Sequence, residues 1–311
     1  MATYTKPPLS LDQQLNKLQS RGLIIENRGD AAHCLENISY YRLRAYTFPF
    51  QDNKNETQDH HFIREGIRFS EIIDLYQFDS NLRALIFHEI ENIEVAFRTR
   101  LVYHYAMETH DSHWYTNAEL FFPHSKRTFE NVYAEIDAEI GRSKEEFLIH
   151  YKNSYSEPTL PPAWMALEVV SFGVLSHLYR LLKKDKGKKA VAESFGLKDI
   201  ATMENWLHAI SILRNHCAHH NRIWNRRFLI GLQLPYNTIY PFMDKQTTEG
   251  IKNNKLFAYM CCMKYLLDRI NPGNQFATSL VKLMDRGGNL LSVKDMGFPE
   301  NWQKLSIWNG N

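Results

Sequence analysis

The sequence predicts an all-α protein, a helical bundle with a small N-terminal helix-turn-helix-like unit. Three observations carry that expectation. Apolar residues recur every three or four positions, as on a helix with one buried face. Leu75, Phe78, Leu82, Ile86, Ile90, Ile93, Phe97 and Leu101 do so without an intervening Gly or Pro. Alternating apolar and polar runs, the mark of a half-buried strand, are scarce, and only Phe228 to Leu234 reads as a short one.

The elements follow in chain order. Pro7, Pro8 and Ser10 open a short amphipathic helix through Leu11, Leu15 and Leu18 that ends near Gly22. Gly29 and Asp30 open a second, through Cys34, Leu35 and Ile38. The pair reads either as a helix-turn-helix-like unit or as plain helix packing. An aromatic stretch, Ser39 to Gln51, has Arg42 and Arg44 interleaved, and Pro49 ends its regular structure. Residues 53–61 are polar and read as an exposed loop. A division at residues 1–62 and 63–311 is expected there.

The long helix runs from Phe69 to about Tyr105. Helices are then expected over 126–140, bounded by Gly141, and over 145–151. Pro158, Pro161 and Pro162 punctuate the chain before a strong helix from Trp164 to Leu182, with Trp164 facing inward and Gly173 allowing close packing. Lys183 to Lys189 reads as a basic connector. Helices over Met203 to about Arg227, Ile251 to Ile270 and Phe276 to Leu283 follow, and a tail from Gly287 to Trp308 packs as a loop.

Composition narrows the function classes. The 311 residues are 44% hydrophobic and 23% charged, ordinary for a globular chain and unlike a disordered or collagenous one. A net charge of +2 gives no global polyelectrolyte signal, so a nucleic-acid site has to come from local segregation of charge. Cys34, Cys217, Cys261 and Cys262 form no C-x-x-C pair, which argues against a zinc ribbon and fits a reducing compartment. The opening residues lack an apolar signal core, and no apolar run approaches the roughly 20 residues of a membrane span. The expected setting is cytoplasmic, away from the membrane.

Charge segregation appears in one place. Between Glu204 and Asp244 there is no acidic residue, while Arg214, Arg222, Arg226 and Arg227 stand there with His208, His216, His219 and His220. On a helical wheel Trp206, Ile210, Leu213, Cys217 and Trp224 share the buried face. Asn215, His219, Arg222 and Arg226 fall opposite, with Arg214 on the flank. Such a patch suits a phosphate-bearing partner, or pairs with carboxylates of neighbouring helices.

Within that segment, Arg214-Asn215-x-x-x-His219 resembles the R-N-x-x-x-H motif of the HEPN superfamily of helical-bundle ribonucleases. Further blocks resemble one family in order along the chain, the Abi proteins of bacterial abortive-infection systems, of the AbiD/AbiF type. They are ISYYRLRAYTFPF near the N-terminus, IENIEVAFRTRL (Ile90 to Leu101), EVVSFGVLSHLYRLL (Glu168 to Leu182) and MGFPENWQKLSIW (Met296 to Trp308).

The resemblance implies RNA cleavage that needs no metal or other cofactor. RNA supplies its own nucleophile, the 2′-OH. His219 would move the protons, Arg214 would stabilise the phosphate charge, and Asn215 would orient the imidazole. The products would be a 2′,3′-cyclic phosphate and a 5′-hydroxyl. Since such nucleases pair two motifs and this chain has one, a homodimer is implied. For AbiF-like relatives a structured non-coding RNA is the implied antitoxin, and phage defence the implied role. His220, Arg222, Arg226 and Arg227 are candidate RNA contacts, and so are Tyr41 and Arg42, which could stack on bases or pack inward.

Glu94 and Arg98 are spaced i, i+4, an intrahelical ion pair with a possible role behind Arg214 under the family reading. The lysines of 183–189 read as a solvated linker or a phosphate grip. His60-His61, Cys261-Cys262 and the set His104, His110, His113 lack metal-ligand spacing. Two other functions remain open from sequence: RNA binding without cleavage, and DNA binding through residues 10–46.

Overall fold

The computed structural model describes residues 3–54, 60–123 and 127–309. Among them are thirteen α-helices and short 3₁₀ turns, with isolated bridges and no β-strand. The stretch Phe228 to Leu234 is irregular. Its Phe228 and Leu232 N–H groups donate singly to the Asn254 and Asn253 carbonyls, so no ladder forms. The chain divides into two compact units, Met1–Arg83 with Ser279–Ser292, and Ala84–Thr278 with Val293–Asn311.

The first unit opens with α1 (Leu11–Ser20), α2 (Arg28–Ile38) and α3 (Tyr40–Thr47). A capping box between Ser10 and Gln13 starts α1, and the Asn27 side chain caps α2. Then α4 (Phe69–Thr109) runs for 41 residues and contributes its first turns, to Arg83, to this unit. Leu15, Leu35, Leu43, Ile72, Leu75 and Leu82 form the core.

The aromatic YYRLRAY stretch distributes its side chains by helical phase. Tyr41 points out and is 86% exposed, while Tyr46 is buried. The Tyr46 hydroxyl donates to Asp79 Oδ2 at 2.7 Å, and Arg83 Nη1 donates to the same oxygen at 2.5 Å. Burial and the Asp79 charge push the Tyr46 hydroxyl's pKa well up, so it stays a donor.

In the second unit the rest of α4 packs Phe97, Leu101 and Tyr105 into the core. The sequence expected helices over 126–140 and 145–151. Lys126 lies outside the described residues, and the helices found are α5 (Phe129–Arg142), which runs through Gly141, and α6 (Glu146–Ser154). The expected single helix from Trp164 is broken. A turn of α7 (Ala163–Ala166) passes through a 3₁₀ turn, Leu167–Val169, into extended Val170, and Ser171 caps a new helix, α8 (Phe172–Leu181). Trp164 faces outward, 52% exposed, and a Cβ at Gly173 would meet nothing nearer than the Ser171 hydroxyl.

The basic connector is in fact mostly helix, α9 (Lys186–Ser194), capped by Asp185. Its Lys188 is buried: the ammonium donates to the carbonyls of Arg180 and Leu182 at the end of α8 and pairs with Glu204 at 2.5 Å. That lysine closes a helix end and is unavailable to a phosphate. Next come α10 (Ile200–Ala218) and α11 (Lys245–Gly250). The central α12 (Leu256–Ile270) is buried on every side from Leu256 to Leu267, and α13 (Phe276–Met284) follows. The tail folds back as 3₁₀ turns that bury Trp302 and Trp308 against Phe257, with Trp308 Nε1 donating to Cys261 Sγ.

Candidate active site

Helix α10 starts at the Asp199 cap and buries Met203, Trp206, Ile210, Leu213 and Cys217. The wheel predicted that face, and it makes Cys217 a core residue. The helix does not continue to Arg227. It closes at Ala218, where the His219 N–H donates back to Asn215 O and Cys217 O. His220 then takes φ 55°, and its N–H and that of Asn221 return to Cys217 O and His216 O. Such a left-handed residue ends a helix.

Arg222, Arg226 and Arg227 therefore sit on the following irregular segment, not on the helical face opposite the core. Trp224 is buried all the same, through a turn rather than helical phase.

The end of α10 gathers a set of cations and imidazoles. Arg214 is half-buried, and its guanidinium lies over the Phe87 ring of α4 at 5.3 Å from the centroid, a cation–π contact. His219 and His220 are exposed. The Asn215 carboxamide makes no hydrogen bond among the described residues, so what Asn215 gives His219 is its backbone carbonyl. Arg226 is half-buried, with Nε donating to Arg222 O at 2.9 Å, and Arg227 is exposed.

His216, named in the basic stretch but not as a site candidate, joins the cluster. His216 lies half-buried one turn before His219, with its Nδ1 3.2 Å from the Asn221 carboxamide nitrogen. Burial first, then the charges of Arg226 and His219, hold its pKa below the usual histidine range. A neutral imidazole thus stands beside an exposed one. The signal was available in the i, i+3 spacing of 216 and 219. Phe87 carried no such signal, because its contact with Arg214 is long-range.

Glu94 and Arg98 do pair, at 3.0 Å, but Arg98 does more than brace its own helix. It donates to Val170 O at 3.0 Å and reaches Glu168 at 3.4 Å, so it pins the break between α7 and α8. None of these partners is Arg214. Tyr41 and Arg42 lie in the first unit, both exposed. Among the described residues no group of three or more His, Cys, Asp or Glu side chains is arranged to hold a metal ion. No helix among them is long and apolar enough to cross a membrane.

A second imidazole pair lies about three turns earlier on α10. His177 of α8 and His208 have ring centroids 5.6 Å apart. Burial, then Arg127, His208 and Arg180, lower the His177 pKa to about 4. The unfolded imidazole titrates near 6.5. Between those values the unfolded chain binds a proton that the folded chain does not. The stability gained is complete above the upper value and is lost as pH falls toward the lower. Unfolding free energy at pH 4 is expected to fall relative to pH 7, by on the order of 2 kcal/mol for this histidine. Urea unfolding of His177→Gln at both pH values checks it, since that variant should have a shallower acid limb. An unchanged limb would remove His177 from the account.

Comparison with known proteins adds one positive finding. A family model described as Abi-like protein matches residues 33–225, which take in Arg214 and His219 and stop one residue short of Arg226. No curated protein and no solved structure matches the chain.

Proposed function

We propose, from the premise that this chain belongs to the Abi-like protein family, that it is a metal-independent endoribonuclease of the HEPN type serving in abortive infection. The observation that carries the proposal is the end of α10. Arg214 fixed on Phe87, exposed His219 and neutral His216 stand in a stretch with no carboxylate from Glu204 to Asp244. A polyanion is the complement of such a surface, and imidazoles are the groups that move protons near neutral pH.

In the proposed reaction one His219 imidazole takes the proton of a ribose 2′-OH. The 2′-oxygen attacks the adjacent phosphorus, and the P–O5′ bond breaks. A protonated imidazole delivers its proton to the leaving 5′-oxygen. Arg214 balances the charge on the non-bridging oxygens. Arg226 completes the cationic wall, and His216 stands beside it as an uncharged imidazole. The two proton carriers come from two copies of the chain, so the active species is a homodimer.

Unit one is the proposed grip for a structured RNA that restrains the enzyme. Lys17 is held below the usual lysine range by burial and by the charges of Arg21, Lys6 and Arg44, which marks a local concentration of positive charge. Tyr4, Tyr41 and Phe48 are exposed in the same unit, and Arg44 lies over the Phe48 ring at 5.7 Å. Arg42 and Tyr41 would contact RNA there, by charge and by stacking.

The test uses one labelled single strand made as RNA and as DNA. Purified protein is expected to cut the RNA in EDTA, leaving 5′-hydroxyl ends, and to leave the DNA intact. Activity per protomer is expected to fall on dilution as sedimentation shows the dimer dissociating. DNA cleavage or a strict Mg²⁺ requirement would overturn the chemistry, and an active monomer would overturn the dimer.

A further inference from the structure

The side of α4 that carries Phe87 continues toward its C-terminus. Three turns on, about 16 Å along the axis, that side presents Arg98. There α4 and the short segment around α7 enclose an open groove of about 370 Å³, lined chiefly by Arg98, Thr99, Tyr103, Met107, Trp164 and Glu168. Three of its large side chains stand in water: Tyr103 at 60%, Met107 at 57% and Trp164 at 52% exposure.

The backbone beneath Trp164 is firmly held. Ala163 N–H donates to Ser112 O at 2.8 Å, and Ala163, Ala166 and Leu167 are buried. A half-wet indole on a held turn, lining the same groove as an exposed tyrosine, offers a stacking platform. At the groove's end Arg98 holds Glu168 at 3.4 Å, and the Glu168 side chain remains 52% exposed with acceptor capacity to spare.

We propose that this groove binds one unpaired base of the substrate RNA, with guanine preferred. The inference rests on the ribonuclease reading above and adds a specificity site to it. Three features select the occupant. The groove's volume suits a single base and is too small for a helix, and Trp164 and Tyr103 both line it. It lies on the same side of α4 as Phe87 and Arg214, within reach of an extended strand a few nucleotides from the cut. Among its polar lining residues Glu168 supplies the carboxylate, and guanine is the base whose Watson–Crick edge offers two adjacent N–H donors to one.

Cleavage and binding are read separately. Binding is measured by fluorescence anisotropy with His219→Ala protein and short U-rich RNAs carrying one G or one A. The G-bearing RNA is expected to bind about ten-fold tighter than the A-bearing one. Adding Trp164→Ala should weaken both by about ten-fold, as loss of one stacked base does. Trp164→Phe should restore most of the affinity, and Glu168→Gln should erase the preference for G.

Unchanged affinity and preference in Trp164→Ala overturn the proposal. So does a change in its sedimentation, which assigns the groove to a contact between copies. If the parent protein fails to cut RNA while the Trp164-dependent preference for G stands, the catalytic reading falls and the base site survives. If the parent cuts RNA and the groove variants bind as it does, the base site falls alone.

Discussion

His219→Ala is expected to lower RNA cleavage by roughly 10²- to 10⁴-fold, the usual contribution of a positioned proton carrier. The fold should survive. The side chain is exposed and lies off the face that buries Trp206, Ile210 and Leu213, so the unfolding free energy should move by no more than about 0.5 kcal/mol. The helix end is closed by the His219 backbone N–H, which alanine retains. Cleavage rates of the parent, His219→Ala and His220→Ala, each with a thermal melt, separate chemistry from folding. The His220 variant should lose less. A His219→Ala protein that cuts like the parent removes His219 from the mechanism.

The largest expected loss of stability is at Asp79. This carboxylate is fully buried and accepts from both Tyr46 and Arg83, and Arg83 is itself only 5% exposed. Asp79→Ala leaves a buried guanidinium without its counter-charge, which costs about 3–5 kcal/mol. Asp79→Asn keeps a hydrogen-bond acceptor and should cost less. Urea unfolding followed by circular dichroism measures both. A loss under about 1 kcal/mol for Asp79→Ala would mean that Arg83 finds water or another acceptor. The same triad gives Tyr46 of the aromatic block a structural duty without invoking a ligand, whereas Tyr41 is 86% exposed.

The fold class and the long helix were legible because periodicity is a local signal. Ile86, Ile90, Ile93 and Phe97 are all fully buried, as their spacing required. Breaks in helices were less legible. Nothing between Trp164 and Leu182 forbids a continuous helix, and the interruption at Val170 is made by Arg98 taking its carbonyl from another element. The end of α10 was misplaced for a similar reason. No Gly or Pro stands between Ala218 and Ile230, and a histidine takes the left-handed position that glycine usually marks. Composition hid Lys188, since a run of lysines looks solvated until a tertiary contact buries one. Arg214, Asn215 and His219 became candidates through a motif resemblance, His216 stood in the same basic stretch, and Phe87 reached Arg214 only through folding.

The His219-His220 doublet now divides into two separate demands on the chain. Under the proposed mechanism the first histidine answers to chemistry, and the second answers to geometry. At φ 55° the backbone of position 220 tolerates Gly, Asn, Asp or His but strains any β-branched residue. Drift at that codon is therefore channelled: a lineage can exchange His220 for asparagine or glycine and keep the turn, yet valine, isoleucine or threonine there would swing the preceding imidazole away from its post. Two adjacent identical letters can thus be preserved by unrelated kinds of selection.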